Sequence, residues 1–392
     1  MNKRKIINDP VYGFIPIPFD VVYDVMEHRF FQRLRRIQQL GFSSLVYPGA
    51  THTRFHHSIG AMHLMTRALD VLKKKGIAIS VEEEQATILA ILLHDLGHGP
   101  YSHALEGTLV NAHHENISKL LMQALEKEFG NIFSLSISIF EGNYEKKFLH
   151  QLVSGQLDMD RMDYLNRDSF YTGVSEGVIG YDRIINMLDV VEDKIVVEEK
   201  GIYSIEKFLV ARRLMYWQVY LHKTVLCAEI LLKNIFKYIK QKKIKLPFDC
   251  TLNLFIENDF NEINSAIWLQ AFCELDDTDI VFALKYFAKS EDKILSKLSS
   301  ALIYRKLFHI EFNTLQEIES KLIELKNRYS NEEMQYLVTV GSTSNNMYNT
   351  AKNNIYIKFK DNKLVDIASI TEQWNIDTLS NPVVKYYIIY PK

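Results

Sequence analysis

The residues from Leu92 to His103, LLHDLGHGPYSH, place three histidines and an aspartate at the end of the apolar run ILAILL. Unpartnered polar groups cost about 1 to 3 kcal/mol each when buried. A core helix that ends this way must therefore find partners for His94, Asp95, His98 and His103 together. Nine of the thirteen histidines fall between His52 and His114, a concentration that helix packing alone does not produce. A divalent ion is the simplest shared partner, because neutral imidazole and carboxylate both ligate borderline metals. His94 and Asp95 stand about 100° apart on a helix, so they bracket an ion at the helix end and do not share a face.

The surrounding pattern is helical. VVYDVMEHRFFQRLRRIQQLG stops at Gly41, SIGAMHLMTRALDVLKKKG stops at Gly76, and SVEEEQATILAILLHDLGHG opens with Ser80 and acidic residues suited to a helix N-terminus. Further helical stretches are expected over 114–129, 145–170, 204–241 and 260–330. Residues 5–20 read as a short hairpin, and KIVVEEKGIYSI as a β-like piece. The last sixty or so residues are β-rich, with Asp361-Asn362 as a tight turn between two strands. The expected fold is mainly α: a helical body with a hairpin at its start over 1–250, a helical extension over 251–330 and a small C-terminal α/β appendage over 331–392.

Composition narrows the partners. A formal net charge of -2 gives no global field for nucleic acid, so nucleic acid is not indicated. The basic start MNKRKIINDP leads into Asp9-Pro10 and not into an apolar segment, and no run approaches the roughly 20 apolar residues of a membrane helix. A cytoplasmic protein with no membrane partner is expected. Cys227, Cys250 and Cys273 have no CxxC spacing, which argues against a disulfide framework or a cysteine zinc site.

Two polar stripes supply further site candidates. In QLDMDRMDYLNRD, Asp160, Tyr164 and Asp168 recur at i, i+4 and i+8 on one helical face. In VARRLMYWQVYLHK, Arg212, Tyr216 and Tyr220 do the same, with Lys223 just beyond. Arginine beside tyrosines suits phosphate and sugar, since guanidinium gives forked contacts and the phenol ring a flat wall with a hydroxyl. Asp163 is expected to pair with Arg167 at i+4 and Asp158 to cap or pair.

Taken together, QRLRRIQQLG, YPGATHTRFHHSIG, HDLGHGPYSH, HHEN and DMDRMDYLNRD, in this order, resemble the HD-domain metal-dependent phosphohydrolases and, within them, the deoxynucleoside triphosphate triphosphohydrolase branch. The likeness covers about residues 5–235. It implies His57, His94, Asp95 and Asp160 as ligands of one divalent transition metal (Fe, Mn, Zn, Co or Ni), with Mg as a further ion on the nucleotide phosphates. It implies His98, His103, His114 and Glu106 as catalytic or supporting groups, where Glu106 replaces a more common Asp. Arg54, Arg161, Arg212 and Lys223 would bind phosphate, Tyr164 and Asp168 the sugar, Tyr220 would close the pocket, and Gln39 would lie near sugar or base. Leu221 replaces a Gln that some relatives place near the base. His52, His63 and His113 do not fall at ligand places of these motifs and are expected to be structural or exposed.

The implied reaction is attack of water on the α-phosphorus, giving a deoxynucleoside and inorganic triphosphate. The alternatives are another phosphoester, such as a nucleoside monophosphate or a signalling nucleotide, and a nucleotide or nucleic-acid sensor without turnover. The resemblance also implies a homodimer or homotetramer. An allosteric nucleotide near Gln32 and Arg35 is a further expectation, although an amphipathic helix explains those residues nearly as well.

Overall fold

The computed structural model describes residues 5–257, 265–345, 354–370 and 383–392, with the side chains of 102, 103 and 345 outside that set. Three helices form the frame of the site. The helix Arg54–Lys74 starts at a Thr53 capping box whose returning partner is His56, with the Thr53 N–H donating to His56 Nδ1 at 3.1 Å. It packs against both Val81–Leu93 and Met159–Thr172. Val81–Leu93 begins as expected at Ser80, whose hydroxyl accepts from the Glu83 N–H while the Glu83 carboxylate accepts from the Ser80 N–H. Every residue from Ala86 to Leu93 is buried, and each large apolar side chain so covered contributes about 1.5–3 kcal/mol.

That helix ends at Leu93, and the chain turns through 94–101 before the helix His114–Phe129. Gly97 allows the turn to sit tightly, since a Cβ there would lie 2.1 Å from the His114 carbonyl oxygen. The Gly97 N–H donates to Ser118 Oγ at 2.8 Å, and that hydroxyl donates to the His94 carbonyl at 2.7 Å. Asp158 caps Met159–Thr172 by accepting from the Arg161 N–H at 2.7 Å, and Gly173 ends it at φ +76°.

The expected helices 145–170, 204–241 and 260–330 are each interrupted. The first divides into Lys147–Val153 and Met159–Thr172 at the Asp158 cap. The second runs as Ile202–Met215, a π-helical turn Tyr216–Tyr220, and Lys223–Lys242, so the β-like reading of GIYSI also gives way to helix. The third contains Ala266–Glu274, Asp277–Phe287 and Lys293–Ile303, then the strand His309–Phe312 and the helix Leu315–Lys326. Asp276, Asp292 and Thr314 accept at the new N-termini and set the breaks. The stretch before Gly41 is also shorter than expected, with Asp20–Glu27, Arg29–Gln32 and a 3₁₀ turn Arg33–Arg36.

The fold is mainly α with small strand-containing regions. Ile6–Asp9 and Gly13–Pro16 form the expected hairpin. Lys194–Glu198 pairs antiparallel with Leu188–Val191 and parallel with Tyr356–Lys358, in the register Val197 to Ile357. Tyr356–Lys358 turns through Asp361-Asn362, with Asn362 at φ +64°, into Leu364–Asp366. Val383–Tyr390 lies between His309–Phe312 and Thr339–Asn345, antiparallel to both. Strand pairing of Tyr356–Lys358 and Val383–Tyr390 thus crosses the boundaries at 250 and 330 expected from the helical and β-rich pattern. Among the described residues no helix is long and apolar enough to cross a membrane.

Candidate active site

The helices at 54, 81 and 159 bring His57, His94 and Asp160 together, with one donor atom from each within 4.8 Å of the others. His57 Nε2 lies 3.4 Å from His94 Nε2 and 3.1 Å from Asp160 Oδ1, and His94 Nε2 lies 3.5 Å from the same oxygen. Asp95 stands beside them, its Oδ1 3.4 Å from His94 Nε2 and its Oδ2 3.8 Å from His57 Nε2. The other nitrogen of each imidazole is already engaged. His57 Nδ1 is 2.7 Å from Asp163 Oδ2, and His94 Nδ1 is 2.6 Å from the Ile91 carbonyl oxygen. Protons held at both Nδ1 positions leave two Nε2 lone pairs facing one another, an arrangement that a cation resolves.

Without an ion the same Nε2 positions take up protons instead. Burial alone would push the His57 imidazole down, but hydrogen bonds to Asp160 and Asp163 and the nearby carboxylates hold it at about 10. Burial would likewise raise Asp160, yet hydrogen bonds from His57 and His94 keep it well below the usual carboxylate range. The cluster calls for positive charge, and two imidazoles with two carboxylates suit a borderline divalent ion.

Asp95 is held from the far side by Arg54, whose guanidinium Nη1 bonds its Oδ2, and His98 Nδ1 is 3.3 Å from its Oδ1. The His98 and His114 rings lie against one another, tilted by 33° with centroids 3.9 Å apart. Glu106 Oε2 lies 3.3 Å from His114 Nδ1, and Glu106 Oε1 lies 3.0 Å from Nδ1 of exposed His113. The longer glutamate arm therefore still reaches the histidine. Burial would raise the Glu106 carboxyl, but the His114 charge and hydrogen bond, with that of His113, hold it below its ordinary value. His103 belongs to the short helix Ser102–Leu105, and its side chain lies outside the described residues.

A cavity of about 430 Å³ opens beside this cluster and is lined by Asp95, His98, His114 and Asp160 together with Gln39, Arg54, Tyr164, Asp168 and Tyr220. The Tyr220 hydroxyl donates to Asp168 Oδ2 at 2.8 Å, and the Tyr164 and Tyr220 rings meet edge to face at 5.9 Å. Gln39 Oε1 is buried with no hydrogen-bond partner among the described residues. Arg161, Arg212 and Lys223 do not line the cavity. Arg161 Nη1 is tied to Asp158 at 2.9 Å, Lys223 is exposed, and half-buried Arg212 has its Nε and Nη1 buried without a partner among the described residues. Gln32 and Arg35 bond one another at 2.9 Å, and Arg35 lies over the Phe55 ring.

Residue-by-residue reading overlooked three supports. His52 is indeed structural, but it is buried with Nε2 2.7 Å from Asp168 Oδ1, so it fixes a carboxylate of the cavity wall. Asp163 pairs with Arg167 as expected, yet its other edge orients His57. Asp277, from the helical extension, accepts the Gln38 N–H at 2.8 Å and the Tyr101 N–H at 3.1 Å and so joins two segments of the cavity wall. Only the Asp163–Arg167 spacing was visible in one dimension.

Residues 54–168 match the HD domain, and residues 179–249 match the HD associated region. A phosphohydrolase crystal structure from Bacteroides thetaiotaomicron superposes on the whole chain, covering 100% of both, with a TM-score of 0.93 and 48% identity. An uncharacterised Bacillus subtilis protein is 32% identical over 97% of this chain and 88% of its own length. The chain belongs to the HD-domain phosphohydrolases. This HD phosphohydrolase is also 33% identical, over 60% of its length and 49% of the relative's, to a Dictyostelium discoideum protein named a deoxynucleoside triphosphate triphosphohydrolase SAMHD1 homologue. The matched region contains the dipeptide His94-Asp95 and ends at Asp168, the carboxylate held by His52 and Tyr220.

Proposed function

We propose that this HD phosphohydrolase cleaves deoxynucleoside triphosphates into a deoxynucleoside and inorganic triphosphate. The observation that carries this reading is the joining, in one cavity, of the His57–His94–Asp160 cluster with the Tyr164–Asp168–Tyr220 wall. A divalent ion held by His57, His94, Asp95 and Asp160 would supply Lewis acidity and a lowered water pKa, worth several kcal/mol of barrier. His98 and His114, backed by Asp95 and Glu106, position the attacking water and take its proton. His103 is assigned the proton delivered to the leaving nucleoside oxygen.

Arg54, which lines the cavity, takes the β- and γ-phosphates together with Arg212 and Lys223 beyond its wall, and Arg161 is a further phosphate contact. Support for this assignment is strongest at Arg212, whose buried and unfilled guanidinium nitrogens seek an anion. Tyr164 and Asp168 take the sugar, Tyr220 closes over it, and Gln39 Oε1 accepts from a sugar hydroxyl. The enzyme works as a homodimer or homotetramer.

The test is incubation with each deoxynucleoside triphosphate and each of several divalent metals, followed by analysis of the phosphate product. Inorganic triphosphate is expected; pyrophosphate or orthophosphate would move the reaction to another phosphoester. Asp160→Ala should lose metal and turnover together, and full activity in that variant would remove the assignment. Arg212→Ala should keep its metal and lose triphosphate affinity by about 10- to 100-fold, the scale of a hydrogen bond to a charged group.

A further inference from the structure

The cavity contains one carboxylate that the proposed chemistry does not use. Glu229 lies on Lys223–Lys242, one turn after Val225, and both line the cavity together with Leu221 from the turn that precedes the helix. At a rise of about 1.5 Å per residue, Glu229 stands roughly 9 Å along the helix from its first residue, Lys223, and Tyr220 lies beyond that end. Tyr220 is the residue that holds the sugar-side carboxylate Asp168. Glu229 therefore lines the cavity about two helical turns from the end that carries the Tyr220–Asp168 contact.

Its surroundings are unlike those of the other cavity carboxylates. Asp95 has Arg54 and His98, Asp160 has His57 and His94, and Asp168 has His52 and Tyr220. Glu229 is half-buried, and no hydrogen bond or ion pair to its side chain is found among the described residues. Leu40, Ala104, Leu221 and Val225 contribute apolar wall to the same cavity. Burial without a compensating charge pushes the carboxyl up to about 7. A carboxylate in that position is costly until something donates to it.

We propose that Glu229 reads the base and selects guanine. This rests on the nucleotide reading of the cavity. An ionised carboxylate only accepts hydrogen bonds, and its two oxygens suit two parallel N–H donors. The guanine pairing edge offers such a pair, N1–H and the N2 amine. Adenine and cytosine each offer one exocyclic amine next to a ring-nitrogen acceptor. Thymine offers one N–H between two carbonyl oxygens, which would face carboxylate lone pairs. The expected order is guanine, then adenine and cytosine, then thymine.

The test uses the metal-loaded full chain, as wild type and as Glu229→Gln, with two readouts. One is kcat/KM for dGTP against dTTP; the other is equilibrium binding of deoxyguanosine against thymidine. Wild type should favour guanine by about 10- to 100-fold in each ratio, the scale of a hydrogen-bonding site facing a base that lacks the donors. Glu229→Gln should collapse both ratios toward unity, and ratios are insensitive to a partial folding defect. Equal use of all four nucleotides by wild type overturns the proposal without any variant, as does a guanine preference that survives Glu229→Gln. Absence of triphosphate with every nucleotide, alongside a deoxyguanosine preference lost in the variant, would refute the proposed reaction and leave the base reading standing.

Discussion

Replacing Asp163 by Asn tests whether the ion site depends on the carboxylate behind it. Asp163 is wholly buried between His57 and Arg167, with Oδ2 2.7 Å from His57 Nδ1 and 3.0 Å from Arg167 Nε, and Oδ1 3.0 Å from Arg167 Nη2. Burial would raise its pKa, but the Arg167 charge and the His57 hydrogen bond hold it below the ordinary carboxylate range. Asparagine keeps the volume, yet its amide can accept on one edge only and must turn N–H donors toward another donor. Arg167 retains Asp9 at 2.8 Å, so its charge is not left bare. The stability loss should therefore fall at the low end of the range for breaking a buried pair, about 3 kcal/mol. The His57 ring loses the acceptor that fixes its tautomer, and metal affinity should fall by about 10- to 100-fold, or about 1.4–2.7 kcal/mol. Chelator competition measures the loss of metal affinity, and urea unfolding of the metal-free chain measures the loss of stability. Unchanged metal affinity would refute the claim that Asp163 orients His57, whatever happens to stability.

Gly60→Ala attacks the same pair from the opposing helix, since the new Cβ would lie 2.0 Å from Asp163 Oδ1 and 2.2 Å from Arg167 Nη2. It should cost about 1–3 kcal/mol in urea unfolding and weaken metal retention, and a neutral result would mean the helices separate freely. Asp277 gives a pH test: burial outweighs the two backbone donors and raises its carboxyl from 3.8 to about 6. The folded state then holds that proton more tightly than the unfolded chain, so the stability contribution is fullest below about pH 4 and declines as pH rises to about 6. At neutral pH the charged form costs about 3 kcal/mol, and the stability difference between Asp277→Asn and wild type should shift in favour of the variant by that order from pH 4 to pH 7. A difference independent of pH, measured by urea unfolding at both ends, would show that Asp277 titrates normally.

Where local chemistry settles structure, it is visible in the chain. Ser80 with Glu83 marks a helix start, Gly173 a helix stop, and Asp361-Asn362 a turn, because each acts through its own backbone. The missed helix breaks had similar signals in Asp276, Asp292 and Thr314, which cap helices inside the apparent run 260–330. The π-helical turn Tyr216–Tyr220 is different. No proline or glycine marks it, and its last residue reaches Asp168, more than fifty positions earlier. Such turns are frequent at functional sites, but this one is held by a partner that spacing cannot reveal. The same reason hid His52 and Asp277, whose partners lie on distant segments.

Charge placement on Met159–Thr172 explains how the chain tolerates a histidine and aspartate behind ILAILL. Three acidic residues crowd the start of this helix, and two are neutralised from their own surface: Asp158 by Arg161 at i+3 and Asp163 by Arg167 at i+4. Asp95 on the neighbouring turn is answered by Arg54. Asp160 alone has its nearest arginine nitrogen as far away as 3.9 Å, and its closer partners are the imidazoles of His57 and His94. It is also the most open of these carboxylates, with 25% of its side chain exposed. The arginines thus satisfy the structural acids and leave one carboxylate without an arginine, answered only by two imidazoles, at the edge of the cavity. Moving that excess elsewhere on the helix would bury an unpaired charge at a cost of several kcal/mol. The position that best tolerates a missing arginine is therefore the one where a divalent ion can replace it.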